Sequence, residues 1–242
     1  YKIDNINGLI NLLISKKPLY FDVSVYYEIR DHKTNHNLYN LYYRIDFTSS
    51  IKEYILAIVE YASLQSIISA TSTRISDVLT IPAKKHEDQE YTKMINDKSC
   101  FSVIESSSDN YTIERGLVLT EIQKDHYKHY LNEIDERYYN DIVLYKCDLN
   151  DLKDPVRYSV KFPPLTMNKN DHYVYWTSDR LMFLKSITFD ARDFSYENCR
   201  LNLHPLFACY KGDIPDMDRD NYFCFNINSW IIGGQGAIFS WR

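Results

Sequence analysis

The residue types that most often carry chemistry are scattered along this chain. His126 and His129 lie three residues apart and would share a helix face. Zinc needs a third and usually a fourth ligand, and no spaced cysteine or histidine cluster supplies one. Cys147 could pair with a distant histidine as a nucleophile, but a buried structural thiol is the default for such a residue. These groups therefore predict no metal site and no catalytic residue.

One enzymatic alternative remains open. ADP-ribosyltransferase toxins use an arginine on an early strand, a Ser-Thr-Ser strand and a Glu-x-Glu turn. Similar residues here are Arg44, the run Thr71-Ser72-Thr73 within 69–74, and Glu90 in the sequence EDQE at 87–90. Asp88 stands in the place of the first glutamate, and the last two motifs lie too close together for the sheet of that family. We keep this enzyme class as the alternative to a non-enzymatic function.

Strict alternation of apolar and polar residues predicts an antiparallel hairpin. Residues 19–29 and 39–47 place an apolar side chain at every second position, and residues 31–37 form the turn between them. The side chains expected on the buried face are Phe21, Val23, Val25, Tyr43 and Ile45. The remaining stretches predicted to be extended are 75–81, 100–104, 113–120, 141–147, 156–162, 172–176, 180–189 and 221–242.

Helices are predicted where apolar residues recur at helical spacing or a capping motif occurs. Ser50-Ile51-Lys52-Glu53 fits a capping box. The stretches concerned are 2–16, about 51–66, about 121–138 and 193–212. With the strands, they predict an α+β fold in which mostly antiparallel sheets carry two or three helices. No repeat or linker divides the chain, so we expect a single domain over 1–242.

Composition restricts the partners. The formal charge of −5 argues against nucleic acid, because phosphate binding needs a basic face. No run of about 18 apolar residues occurs, so no membrane span is predicted. Five widely spaced cysteines without a C-x-x-C favour free thiols in a reducing compartment. The 22 tyrosines are the outlier, and they suit extensive packed contact within or between chains.

Two stretches of the chain resemble the polyhedrins of cypoviruses, insect reoviruses that embed their particles in protein crystals. Residues 21–61 are similar to the polyhedrin order of tyrosine-rich strand, turn, strand and Ser-capped helix ending near Glu-Tyr. The C-terminal stretch FCFNINSWIIGGQGAIFSWR resembles the polyhedrin ending, through Asn226-Ile227-Asn228, Gly236-Ala237-Ile238 and Arg242. The segment before the first strand is shorter than the helical arm of that family.

This resemblance implies a β-sandwich flanked by helices, whose homotrimers pack into an occlusion body in the host cytoplasm. Virus particles would be the other partner, and no membrane or specific nucleic acid is implied. The function would be structural, with no active site and no cofactor predicted, although a bound nucleotide stays open. Alkaline pH would dissolve the crystal, because free tyrosine titrates near pH ~10. A virus-encoded soluble binding module is a further alternative.

Three of the six glycines lie in the last ten residues, GGQGAIFSWR. No helix follows them, so they cannot present a helix N-terminus to a phosphate. Glycines let two backbones approach closely, so Gly233, Gly234 and Gly236 would allow an aromatic tail to lie flat on another molecule. Phe239 and Trp241 would then be its anchors. The alternative is that the tail packs on its own domain, with the glycines making a tight turn.

Overall fold

The structure is a computed structural model. It describes residues 19–50, 53–60, 76–83, 101–106, 112–117, 119–126, 142–148, 155–178, 180–195, 201–206 and 221–241. These residues are mostly β-strands: β1 Tyr20–Asp31, β2 Leu38–Ser49, β3 Glu53–Glu60, β4 Ser76–Ala83, β5 Phe101–Ser106, β6 Thr112–Gly116, β7 Thr120–Glu121, β8 Ile142–Asp148, β9 Val156–Asn168, β10 Tyr173–Thr177, β11 Met182–Asp193, β12 Leu201–Leu206, β13 Tyr222–Ile231 and β14 Gly236–Trp241. The only helix among the described residues is a 3₁₀ turn at Lys124–His126.

The β-rich part of the predicted fold is confirmed, whereas flanking helices are not shown among the described residues. The chain divides into two compact units. Unit 1 includes Leu19–Phe47 and Pro164–Arg242, and unit 2 includes Thr48–Pro163. The sequence has no shift in composition at these boundaries.

Unit 1 contains two sheets that pack on each other through aromatic rings. The strand order is β13-β11-β1-β2-β9 in one sheet and β10-β14-β12 in the other. Strands β1 and β11 are parallel, whereas β11 with β13, β10 with β14 and β12 with β14 are antiparallel. Phe189 of β11 stacks on Phe239 of β14 with ring centroids 4.6 Å apart. Tyr39 of β2 meets Trp241 of β14 edge to face at 5.6 Å.

Unit 2 also has an aromatic centre. Its strands follow the orders β9-β5-β6, through the first half of β9, and β4-β3-β8-β7. Tyr54 of β3 contacts Tyr158 of β9 at 4.7 Å and Phe101 of β5 at 5.4 Å, between ring centroids. All three side chains are fully buried. Two strands that are distant in sequence are thus joined to β3 by side-chain packing.

The predicted hairpin of β1 and β2 is confirmed. The two strands are neighbours in the sheet, joined by residues 32–37. A connection this short allows only antiparallel pairing. The cross-strand contacts agree, because Tyr20 stacks on Phe47 near one end of the hairpin and Arg30 lies over Tyr42 towards the other. Val23, Val25 and Ile45 are buried as predicted, and Tyr43 is half-buried.

Phe21 was predicted to be buried, and this is wrong: its side chain is 40% exposed. The cause is a bulge in β1, where the register with β11 shifts between Tyr20 and Val23. Asp22 takes a left-handed backbone conformation there, with φ 49°. An extra residue reverses the alternation, so Tyr20 points into the core and Phe21 points outward.

The neighbouring strands have register shifts close to the same level. β11 carries one extra residue, Lys185, relative to β1, and β13 has two residues opposite it. One of these two, Asn228, also has a left-handed φ, of 46°. Met182 and Leu184 of β11 and Ile231 of β13, which lie close to these bulges, are buried. Phe183 and Trp230, which are paired across β11 and β13, therefore lie on the outer face with Phe21.

Two predicted helices are strands in the structure. Residues 53–60, within the expected helix 51–66, form β3, which pairs with β4 on one side and β8 on the other. Five consecutive apolar residues, 55–59, fit a central strand as well as a helix stripe, and periodicity alone cannot separate the two. Residues 201–206, within the expected helix 193–212, form β12.

The other two predicted helices are only partly covered by the structure. The expected helix 121–138 does not begin as an α-helix, because Glu121 belongs to β7 and residues 124–126 form the 3₁₀ turn. Its remainder and the expected helix 2–16 lie outside the described residues. The strand predicted at 156–162 is longer than expected, because β9 continues to Asn168.

Candidate functional site

The glycines of the C-terminal stretch form and follow a tight turn. Residues 232–235 join β13 to β14, which belong to different sheets of unit 1. Gly234 has φ +85°, a conformation that favours glycine. Its amide donates to the carbonyl of Ser178 at 2.8 Å, and the amide of Ser178 donates to the carbonyl of Gln235 at 2.8 Å. Gly233, like Gly234, is exposed in this turn.

Gly236 has a different role, because it allows the backbones of β14 and β10 to approach closely. It opens β14 opposite Thr177 of β10. A Cβ on Gly236 would overlap the carbonyl oxygen of Trp176 and lie 2.7 Å from its carbonyl carbon. No side chain fits at this position without moving β10.

The aromatic residues of the stretch are buried within unit 1. Phe239 is 1% exposed and Trp241 is fully buried. β14 is the central strand of its sheet, paired with β10 on one side and β12 on the other. Of the two interpretations of this stretch, the burial matches the one in which it packs on its own domain. Phe239 and Trp241 are therefore not available as anchors on another molecule.

Deletion of residues 233–242 tests this placement. If the stretch made contacts with other molecules, as one interpretation of the sequence has it, a chain without these residues would fold but not assemble. Because β14 is the only strand that both β10 and β12 pair with among the described residues, we expect the deletion to unfold unit 1. Near-ultraviolet circular dichroism should lose its aromatic signal. A cooperatively folding truncated chain would contradict the central position of β14.

The most exposed large apolar side chains described in the structure are on β10. Tyr173 and Tyr175 are 56% and 63% exposed. They alternate with Val174 and Trp176, which point into unit 1. β10 is an edge strand, with β14 on one side and no other strand beside it among the described residues. Two tyrosines thus project side by side from the free edge of a sheet.

A buried tyrosine cluster holds this edge in place. The hydroxyl of Tyr27 donates to the carbonyl oxygen of Tyr175 at 3.3 Å, and Trp176 Nε1 donates to the hydroxyl of Tyr43 at 3.1 Å. The rings of Tyr27 and Tyr43 stack at 4.8 Å. Burial, with the neighbouring Tyr43 and Tyr175, raises the pKa of Tyr27 well above its ordinary value. The alternating sequence of β10 indicated a strand but not this hydrogen-bonded support.

The groups considered for catalysis do not come together in the described part of the chain. Arg44 Nη2 donates to Asp46 Oδ2 at 3.1 Å, and its guanidinium lies 4.2 Å from the ring centroid of Tyr26. Residues 69–74 and 87–90, which would complete an ADP-ribosyltransferase site, lie outside the described residues. His126 is exposed, and Cys147 is buried and forms no disulfide. His129 also lies outside the described residues.

The described residues also show neither a metal-binding group nor a membrane-spanning helix. No group of three or more histidine, cysteine, aspartate or glutamate side chains is placed to hold a metal ion in the described ranges. Among the helices of the described ranges, none has the length and apolar character that crossing a bilayer requires. The exposed large apolar side chains of unit 1 in the described ranges include Tyr173 and Tyr175 of β10, Phe21 of β1 and Trp230 of β13.

Comparisons with known proteins do not assign this chain to a family. No protein-family model matches the chain, and no curated protein matches it. A crystal structure described as a "putative protease" from Parabacteroides distasonis is 11% identical and superposes with a TM-score of 0.28. The match covers 94% of this chain but 40% of that one, so this chain spans well under half its length. A likeness of this size carries no argument about fold or activity.

Proposed function

We propose that this protein is a structural protein that assembles with copies of itself into a crystalline occlusion body in the host cytoplasm, enclosing virus particles. The observation that supports it is the pair Tyr173 and Tyr175 on the free edge of β10. Tyrosine joins a large apolar ring to a hydroxyl that can make a hydrogen bond, and it is enriched at protein interfaces for this reason. The resemblance of residues 21–61 and the C-terminal stretch to polyhedrins points the same way.

The edge of β10 is suited to a repeated contact because it is rigid. Tyr27 and Trp176 hold the strand backbone and its inward face by hydrogen bonds, so the outward tyrosines lose little further freedom when they bind. Apart from the Tyr175 carbonyl, which accepts from Tyr27, the strand edge also offers backbone groups to a neighbouring chain. A lattice built on this edge needs no catalytic group, and the helices that the resemblance implies around the sheets form part of the same proposal.

A charge at the β10 edge should prevent assembly without unfolding the protein. We expect the double variant Tyr173→Glu/Tyr175→Glu to raise the concentration needed for assembly by about 30-fold per residue, as expected for interface residues worth about 2 kcal/mol each. Static light scattering against concentration measures this, and circular dichroism checks the fold. Tyr222→Glu, which charges an exposed tyrosine on β13, is the matched control and should assemble as the wild type does.

Two outcomes would count against the proposal in different ways. Assembly of the double glutamate variant at the wild-type concentration would show that β10 is not the contact. A wild-type chain that stays monomeric at neutral pH, with no refractile crystals in expressing cells, would overturn the container function. Tyr173→Phe/Tyr175→Phe should still assemble, and its assemblies should survive to a higher pH if ionised hydroxyls at this edge drive alkaline release.

A further inference from the structure

An outer aromatic patch, formed by Phe21, Phe183 and Trp230, lies on the face of unit 1 away from its second sheet. Trp230 makes edge-to-face contacts with both phenylalanines, each at 5.6 Å between ring centroids. Trp230 is 46% exposed and Phe21 is 40% exposed. The three rings come from adjacent strands, so they form one continuous apolar surface and not three scattered residues.

The backbone accepts strain to form this patch. Asp22 and Asn228, at the bulges beside it, are non-glycine residues with positive φ. Aspartate and asparagine tolerate this conformation best among such residues, but it is still unfavourable. Without the bulge in β1, simple alternation would turn Phe21 towards the core. The bulges thus turn large aromatic side chains outward, and an exposed apolar patch of this kind marks a site of contact.

The chain itself supplies a segment suited to cover the patch. Ile3, Ile6, Leu9, Ile10 and Leu13 recur at helical spacing and form one apolar stripe. Lys16 and Lys17 separate this stripe from Pro18, where a turn can reverse the chain. The segment is followed by β1, which begins at Tyr20, one residue before Phe21. An apolar segment tethered this close has a high effective concentration at the patch.

We propose that residues 2–16 dock as an amphipathic helix on the outer aromatic patch of their own chain. An apolar helix face laid on an aromatic surface is a common mode of recognition. Five aliphatic side chains would cover the exposed parts of Trp230 and Phe21, and the lysines would remain in solvent. This proposal does not depend on assembly of the protein.

Hydrogen exchange on the full-length chain tests the docking. At a concentration where light scattering shows monomers, amides of residues 2–16 should exchange at least tenfold more slowly than in the free peptide. Trp230→Glu should abolish this protection. Tyr175→Glu, which charges an exposed aromatic residue on the other sheet, is the matched control and should leave the protection unchanged.

A variant in the segment 2–16 tests the same contact independently of the variant in the patch. Leu9→Glu lies outside the described fold and should increase acrylamide quenching of tryptophan emission by exposing Trp230. The increase should vanish in a Trp230→Phe background, because Trp176 and Trp241 are buried. Unprotected amides in the wild type, or protection that Trp230→Glu leaves intact, would overturn the proposal. Protection that grows with concentration would assign the segment to a neighbouring copy and overturn it as well.

Discussion

Substituting Gly236 by alanine should unfold unit 1. The added Cβ would overlap the carbonyl oxygen of Trp176 and approach Thr177 Cα to 2.8 Å. Both are backbone atoms, so no side chain can rotate away and β10 must separate from β14. We expect a loss of more than about 4 kcal/mol in the free energy of unfolding, a cost reserved for severe steric or core defects. Urea unfolding followed by tryptophan fluorescence measures it.

Two other glycines provide graded controls for this experiment. Gly234→Ala meets open space but keeps φ +85°, so it should cost about 1–2 kcal/mol from backbone strain alone. Gly116→Ala in β6 meets nothing within 4 Å and should be neutral or stabilising by up to about 1 kcal/mol. If the Gly236 variant is no less stable than the Gly234 variant, the close approach of β10 and β14 is wrong.

Strong alkali should destabilise the fold through two buried tyrosines. Burial raises the pKa of both Tyr27 and Tyr39, with the nearby charge of Asp171 adding to the shift of Tyr39. A tyrosine in the unfolded chain ionises near pH ~10, so above that pH the unfolded state binds fewer protons than the folded state. The stabilising contribution is complete below pH ~10 and is lost as the pH rises. Each residue should cost about 1.4 kcal/mol per pH unit.

Phenylalanine variants separate the contributions of Tyr27 and Tyr39 to this alkaline loss of stability. Tyr27→Phe and Tyr39→Phe should each remove about 1.4 kcal/mol per pH unit of this alkaline loss. At pH 7 their effects should have opposite signs. Tyr27→Phe loses the hydrogen bond to Tyr175 and should cost about 1 kcal/mol. The hydroxyl of Tyr39 is buried with no hydrogen-bond partner in the described structure, so Tyr39→Phe should stabilise by about 1 kcal/mol.

Urea titrations at pH 7, 9, 10 and 11 give the slopes. If the free energy of unfolding falls with pH at the same slope in the wild type and in both variants, other groups cause the alkaline loss of stability. The raised pKa values also concern assembly, because Tyr27 and Tyr39 stay neutral when accessible tyrosines ionise. If the protein forms the proposed occlusion body, one that opens near pH ~10 would respond first through surface hydroxyls, because the loss of fold stability only begins at that pH.

The hairpin could be predicted from the sequence because one face of each strand is apolar at every second position. That pattern has a single register, since a slip of one residue would expose the whole apolar set. The bulge at Asp22 could not be predicted in the same way, because alternation counts positions and a bulge changes the count. Asp22 falls at a polar position of the alternation, so only its residue type marks the bulge: aspartate, like Asn228 in β13, tolerates a positive φ.

β3 and β12 were predicted as helices, because local spacing cannot reveal the distant strands with which they pair. Residues 55–59 are apolar without interruption, and the pairing partners of β3 begin at Ser76 and Ile142, far along the chain. Helix formation depends on local spacing, whereas strand formation depends on these distant partners. The need for glycine at position 236 has the same origin, because it depends on the carbonyl of Trp176, which spacing cannot reveal.

The position of β14 also dictates when unit 1 can be completed during synthesis. β10 and β12 are made earlier and pair only through β14 among the described residues, so their sheet has no paired strands until β14 leaves the ribosome. Residues 48–163, which form unit 2, are continuous in sequence and are made before that point. The β10 edge therefore becomes ordered late. Tyr173 and Tyr175 can therefore take up their fixed positions on this edge only after β14 has paired with β10.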